Sequence, residues 1–344
     1  MAIIQPFAWT FSTLQDAYNP RPPMRWAVTG LFQIPSLSVV YGAPGSFKSM
    51  LLADMLACAA AGIPFLDPLP HTGSKVIGLP TLPGPVLWLD FDNGPRRTDD
   101  RFEAIGRARG LDPSIPLRYV SMPPGGLFMD KRQHADALAA TIVSQGAHLV
   151  VLDNLGVISG DADEISAEMV PVMSNLRYVC EWGNCALIAI HHQRKSNGVK
   201  GRDGEMLRGH SSIEAALDLA LLIEREAGNS VIKLRSTKTR GADVQERSAV
   251  FTYQHKPGTQ ELEQAAFYGM DCVSSNPLVY LGDAIIDAIT AYGPMNQSAV
   301  VAEVKPQDDT YTRPKILAEL KRLVSVGKIT EKPGPSKNAL IYAI

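Results

Sequence analysis

Short apolar runs near residues 37–41, 86–91, 149–152, 186–190 and 217–223 alternate with helical stretches at 50–61 and 98–109. Runs of strand length separated by segments of helix length predict a mostly parallel sheet flanked by helices, an α/β domain. Two further runs, 231–236 and 248–253, read as a late strand pair, and the domain closes near residue 272. Ahead of it, residues 1–34 carry Trp9, Phe11, Tyr18, Pro20, Pro22, Pro23 and Trp26 without periodicity. They suit an arm lying across a domain surface, or docked on a neighbouring subunit, better than a regular element. Turn formers at 271–277 place a linker at 273–278. Beyond it, helical stretches at 279–292, 297–304 and 312–326 precede a hairpin whose arms, 328–331 and 339–344, flank Lys332-Pro333-Gly334-Pro335-Ser336-Lys337-Asn338. Three short helices and a basic-tipped hairpin describe a winged helix. The expected organisation is an arm (1–34), a large α/β domain (35–272), a linker (273–278) and a winged-helix-like domain (279–344).

At 344 residues, 45% hydrophobic and 20% charged, the chain can bury a full core, which sets disorder aside. A formal net charge of -2 leaves no global positive field, so any nucleic-acid contact must come from local basic loops. Cys58, Cys180, Cys185 and Cys272 show no CxxC pair and no zinc spacing; they read as reduced, buried thiols of a cytosolic protein. The opening Met1-Ala2-Ile3-Ile4-Gln5-Pro6 has no leader pattern, and no apolar run is long enough to span a bilayer. A cytoplasmic location without membrane contact is expected.

Gly42-Ala43-Pro44-Gly45-Ser46-Phe47-Lys48-Ser49 fits the phosphate-loop pattern G-x-x-x-x-G-K-[ST] except at its second glycine, where Phe47 stands. It lies between an apolar run and a helical stretch, the context the pattern requires. Backbone N–H groups of such a loop wrap a β-phosphate, and the helix entered through Met50 adds a favourable field. Lys48 would reach the β- and γ-phosphates and Ser49 would hold magnesium, so ATP and Mg2+ are the expected ligands. A side chain at position 47 calls for a backbone with negative φ.

His148-Leu149-Val150-Val151-Leu152-Asp153-Asn154 is an apolar strand ending in a carboxylate. Asp153 is therefore the expected second magnesium-side group, although a strand-end aspartate can equally cap a helix or turn. Leu87-Trp88-Leu89-Asp90-Phe91-Asp92-Asn93 repeats the pattern. Asp92 is the candidate base that orients the attacking water, with Asp90 a structural or magnesium-side alternative.

With these three motifs in order, residues 25–260 resemble the RecA-like ATPases, and within them the DnaB-like and RepA-like helicases of plasmids and phages. The resemblance implies a RecA-like core. It extends to Ile190-His191-His192-Gln193, similar to a His pair with which RepA-like relatives sense the γ-phosphate; His192 is the expected sensor, a plain loop residue the alternative. Leu207-Arg208-Gly209-His210-Ser211-Ser212-Ile213-Glu214 looks like a block of DnaB-like proteins that precedes their penultimate strands, and Lys238-Thr239-Arg240-Gly241 is similar to their Lys-x-Arg finger. That finger reaches the γ-phosphate of the adjacent subunit, so the resemblance implies a homo-oligomer, a hexameric ring, with Lys238 and Arg240 acting across the interface. The chain departs from the family at Phe47 and at Asp92, which is one methylene shorter than the family's catalytic glutamate.

From Arg194 through Arg208 the chain holds five basic residues, Arg194, Lys195, Lys200, Arg202 and Arg208, and two acidic ones, a local net of +3 in a glycine-broken stretch. A basic loop contacts a phosphate backbone without reading sequence, and in RecA-like rings the loop at this place faces the central channel. A solvated surface loop is the plainer alternative. With no aromatic there, contacts to single-stranded DNA would be electrostatic. In the C-terminal unit, Arg313, Lys315, Lys321, Arg322, Lys328, Lys332 and Lys337 suit a duplex groove or a protein partner, diluted by Asp308, Asp309, Glu319 and Glu331. The expected function is an oligomeric ATPase, a replicative helicase or motor, moving on single-stranded DNA. An ATP-dependent DNA-binding switch with little turnover is the alternative that Asp92 favours; a small-molecule kinase lacks a lid or acceptor pocket here. With about 35 residues ahead of the core, primase recruitment through an N-terminal docking domain is not expected.

Overall fold

The computed structural model describes residues 8–68, 76–160, 162, 166–192, 211–226, 228–241, 243–270, 277–305, 312–325, 327–334 and 340–343. The chain divides into two compact units, Met1–Asp271 and Cys272–Ile344.

The first unit opens with an exposed segment carrying a short helix, α1 (Leu14–Tyr18), closed by a reciprocal capping box between Thr13 and Asp16. From Arg25 the chain turns inward. β1 (Arg25–Val28) and β2 (Phe32–Ile34) form a hairpin that buries Ala27, Val28, Phe32 and Ile34. This corrects the arm reading for residues 25–34. The apolar side chains flank a turn at Gly30, whose φ of 79° suits glycine, a signal masked by the proline-rich stretch before it.

There follow β3 (Ser36–Gly42), α2 (Lys48–Ala61), β4 (Val86–Asp90), α3 (Pro95–Arg109), β5 (Leu117–Ser121), α4 (Arg132–Gln145), β6 (Leu149–Asp153), α5 (Leu155–Ile158), α6 (Met169–Gly183), β7 (Ala186–His192), α7 (Ser211–Ala216), β8 (Leu219–Arg225), β9 (Val231–Thr239), β10 (Arg247–His255) and β11 (Leu262–Met270). Among the described residues, β3 to β11 form one nine-stranded sheet in the order β11-β10-β9-β8-β3-β7-β6-β4-β5. The six strands from β8 to β5 run parallel, and β9, β10 and β11 extend the sheet antiparallel.

β3 is buried along its whole length, as a central parallel strand covered on both faces must be. One apolar layer joins the sheet to α2 and α3; the other joins it to α4 and α6. β7 lies between β3 and β6, the RecA-like α/β arrangement. It brings the ends of β3, β6 and β4 to one edge, where ligands of open α/β sheets bind. β5 and β11 were not expected. β5 is an edge strand with a half-exposed sequence and no apolar run, whereas β11 does carry one, Ala265 to Met270, which follows the polar pair Glu263-Gln264.

The second unit comprises α8 (Pro277–Tyr292), β12 (Met295–Asn296), α9 (Gln297–Val304), α10 (Arg313–Ser325), β13 (Thr330–Pro333) and β14 (Leu340–Ala343). Its three strands pair antiparallel in the order β12-β14-β13 over a core that includes Leu281, Ile285, Val300, Leu320 and Tyr342. α8 starts at Pro277, inside the stretch read as linker, because proline suits the first turn of a helix, where its missing N–H costs nothing. Residues 273–276 of that linker lie outside the described residues.

Candidate active site

The phosphate-loop sequence lies where β3 hands over to α2. Gly42 is required by close approach: a Cβ there would stand 2.3 Å from the Ile223 carbonyl oxygen on β8. At the loop's end Phe47 adopts φ 67°, the left-handed conformation. The expectation of a negative φ is thereby overturned: Phe47 takes the backbone shape ordinarily served by glycine. That conformation costs a non-glycine residue roughly 1–2 kcal/mol, and packing offsets it. The Phe47 ring lies 4.6 Å from that of Phe251 and 6.1 Å from that of Phe267, and the Arg225 guanidinium sits 3.7 Å from its centroid.

No side chain caps α2 at Phe47, so its first-turn amides are disposed toward an anion rather than spent on a cap. Lys48 is 4% exposed. Its Nζ donates to the carbonyls of Gly42 and Ala43, both at 2.9 Å, and to Ser46 Oγ at 3.4 Å. Burial lowers its pKa to about 8, against an opposing pull from Asp153. The ammonium is thus held at the loop by its own backbone, within reach of whatever the loop binds.

Asp153 ends β6, paired in register with Asp90 on β4 and Ile190 on β7. It is 1% exposed, and burial, with Asp90 beside it, pushes its pKa up to about 6 against the lowering effect of the Ser49 hydroxyl and Arg101. Neither carboxylate oxygen has a hydrogen bond of ordinary geometry, and the nearest cation, Arg101 Nη1, stands 4.0 Å away. A buried carboxylate with uncommitted oxygens beside a serine hydroxyl fits a hard divalent cation. Among the described residues no group of three or more His, Cys, Asp or Glu could enclose a metal. A magnesium ion here would therefore be shared between Ser49, Asp153 and phosphate oxygens.

Asp90 and Asp92 separate cleanly. Asp90 is fully buried and saturated. Its Oδ1 accepts from the amides of Asp92 (3.0 Å) and Asn93 (2.7 Å), and its Oδ2 from Thr98 Oγ1 (3.1 Å) and Trp88 Nε1 (3.3 Å). Asp90 is a structural residue that folds the turn after β4. That turn carries Asp92 out to an exposed position, still close enough for its charge to act on Asp153 and Arg101.

His192, at the end of β7, pairs in register with Gly42, so its backbone lies at the entrance of the phosphate loop. Lys238 and Arg240 are placed at the other end of the sheet. The Arg240 amide donates to the Asp218 carbonyl and the Asp218 amide to that of Leu37, both at 2.8 Å. Leu37 is five residues before Gly42 on β3, roughly 16 Å along an extended strand. Lys238 Nζ donates to the Glu214 carbonyl, Arg240 to that of Ala215. These two residues are not brought to the chain's own loop. Arg194, Lys195, Lys200, Arg202 and Arg208 lie outside the described residues.

Two residues escaped sequence reasoning. Arg225, at the end of β8, donates to the Gly45 carbonyl at 2.8 Å and pins the tip of the loop. Arg101, on α3, places its guanidinium 3.6 Å from Asp90 and 4.0 Å from Asp153. Neither stands in a motif; the sole hint for Arg225 was a charge closing an apolar run.

The AAA domain family model matches residues 5–198, a span that includes the loop, Asp92, Asp153 and His192. Among solved structures, the RadB recombinase is similar over 64% of this chain and 89% of its own, at 16% identity and a TM-score of 0.43. A solved ATPase domain is similar over 63% of this chain and 81% of its own, at 11% identity and a TM-score of 0.46. No curated protein matches the chain. Among the described residues no helix is long and apolar enough to cross a membrane.

Proposed function

This chain belongs to the AAA domain family of P-loop ATPases, and from that premise we propose that it is an oligomeric ATP-hydrolysing motor acting on single-stranded DNA, a RepA-like helicase in kind. The observation that carries the catalytic part is the meeting of Lys48, Ser49 and the uncommitted Asp153 carboxylate at the ends of β3 and β6. In this reading, loop amides and Lys48 hold the β- and γ-phosphates while Ser49 and Asp153 hold magnesium, which when bound neutralises charge developing on the transferred phosphoryl group. Asp92 orients the water and takes its proton. His192, level with Gly42 on the neighbouring strand, reports the γ-phosphate.

The placement of Lys238 and Arg240 away from the chain's own loop supports action on a neighbour's nucleotide, and so a ring. The second unit's order of helix, strand, two helices and two strands, with β14 between β12 and β13, supports the winged-helix reading and contact there with duplex DNA or a protein. A cytoplasmic setting accompanies this role. The basic residues Arg194, Lys195, Lys200, Arg202 and Arg208 are proposed, on charge alone, to line the DNA path.

A second reading, an ATP-dependent DNA-binding switch with little turnover, is favoured by one feature: the shorter Asp92 carboxylate at an exposed position. Steady-state ATP turnover of wild type and Lys48→Ala, with and without single-stranded DNA at several protein concentrations, separates the two. Turnover that rises with DNA and with concentration, and is lost in Lys48→Ala, supports the motor. ATP binding with negligible, DNA-insensitive turnover overturns it and leaves the switch.

A further inference from the structure

β3, the strand that ends in the phosphate loop, is fastened to the segment of Lys238 and Arg240 at two levels. Near its start, the Leu37 amide donates to the Asp218 carboxylate, the Asp218 amide to the Leu37 carbonyl, and the Arg240 amide to the Asp218 carbonyl, all at 2.8 Å. Near its end, one residue before Gly42, stands Tyr41, fully buried. A buried tyrosine hydroxyl needs a partner. This one reaches past the adjoining β8 and donates to Thr237 Oγ1 on β9 at 2.8 Å; the Thr237 hydroxyl donates onward to the Ala220 carbonyl at 3.5 Å. Thr237 stands where the ladder slips: Ser236 pairs with Leu221 and Lys238 with Ala220, which leaves Thr237 as the extra residue of a bulge. A slip of one residue turns every following side chain to the opposite face of a strand, and those that follow include Lys238 and Arg240. The bulge therefore sets which way the pair points. Beyond it, Lys238 reaches the Glu214 carbonyl and Arg240 that of Ala215.

We propose that Tyr41 is a positioning residue for this pair, an inference that rests on the shared-site reading above: its hydroxyl pins the bulge, and the bulge aims Lys238 and Arg240 at the neighbouring subunit's nucleotide. Tyr41 thus serves the neighbour's site, although its backbone adjoins the loop of its own chain. Phenylalanine at position 41 keeps the ring and its packing while removing the pin, and the bulge is then left with the long bond from Thr237 to Ala220. Thr237 is the other half of the contact. Serine there keeps the hydroxyl, whereas valine keeps the branched shape without it.

The test measures steady-state turnover and ATP dissociation constants of the full chain in wild type, Tyr41→Phe, Thr237→Val and Thr237→Ser, then mixes Tyr41→Phe with Lys48→Ala and, separately, with Arg240→Ala. Tyr41→Phe and Thr237→Val are expected to lose about tenfold in turnover at unchanged ATP affinity, and Thr237→Ser to keep wild-type turnover. Mixing with Lys48→Ala should raise turnover above the sum of the two, because an intact loop then meets a well-aimed pair. Mixing with Arg240→Ala should not, since neither variant supplies such a pair. Wild-type turnover in Tyr41→Phe overturns the proposal. Weakened ATP binding with rescue by Arg240→Ala overturns it too, because Tyr41 then acts on its own loop. Should Arg240→Ala and Lys48→Ala fail to restore each other, the shared-site reading itself falls, and the role of Tyr41 with it.

Discussion

At Asp153 the demands of burial and of charge oppose each other. Its folded pKa, raised to about 6 from 3.8, means that the folded state binds more protons than the unfolded one between those values. Stability therefore falls as pH rises from about 4 to 6, and the cost is complete above 6. Asp153→Asn removes it: at pH 7.5 the melting temperature is expected to rise by a few degrees, a gain on the order of 2–3 kcal/mol, while turnover is lost. Melting curves at pH 7.5 and pH 4 check this, since the gain must vanish at the lower pH. Phe47 offers a second test. With φ at 67°, Phe47→Ala loses the ring and keeps the left-handed strain, whereas Phe47→Gly loses the ring and the strain together. Urea midpoints should place Phe47→Gly above Phe47→Ala by about 1 kcal/mol, the reverse of the usual order inside an element.

Between elements, the phosphate-loop helix is tied to its neighbours by a buried ion pair. Arg109 on α3 holds Asp54 on α2 in a two-pronged contact, at 3.0 and 2.7 Å, and also donates to the Phe267 carbonyl on β11 at 2.6 Å. Asp54 in turn accepts from the Phe267 amide at 2.9 Å. Both side chains are almost wholly buried. Removing one partner strands the other charge without water, so Asp54→Ala should lower stability by about 3–5 kcal/mol, and Asp54→Ala with Arg109→Leu should recover part of it. Chemical denaturation of the single and double variants measures both. The clamp fastens the helix that also carries Lys48, six residues before Asp54.

For the whole molecule, the decisive arrangement is the separation of Lys238 and Arg240 from the loop of the same chain. Arg240 rests on Asp218, 3.7 Å away, which Arg177 holds at 2.6 Å, so Arg240 has a built base at its own end of the sheet. If it completes a neighbour's site, Arg240→Ala and Lys48→Ala should each be inactive alone, yet mixing them should restore part of the turnover, because mixed interfaces pair an intact loop with an intact finger. Turnover across mixing ratios reads this out, and a mixture as inactive as its components sinks the shared site.

The phosphate-loop pattern, the apolar run that ends in Asp153 and the alternation of strands and helices were legible in the chain because each rests on local pattern: an apolar run, a glycine, a charge at a strand end. Local pattern could not separate Asp90 from Asp92. Both follow the same apolar run two residues apart, and only the hydrogen bonds converging on Asp90 show it spent on structure. Nor could it show that Phe47 turns left-handed, that Arg225 and Arg101 reach the site from other elements, or that residues 25–34 fold into the core. Those outcomes depend on groups far apart in sequence, up to 220 positions between Phe47 and Phe267. The sequence by itself determined which chemistry the chain carries; tertiary packing decided which of its groups are free to perform it.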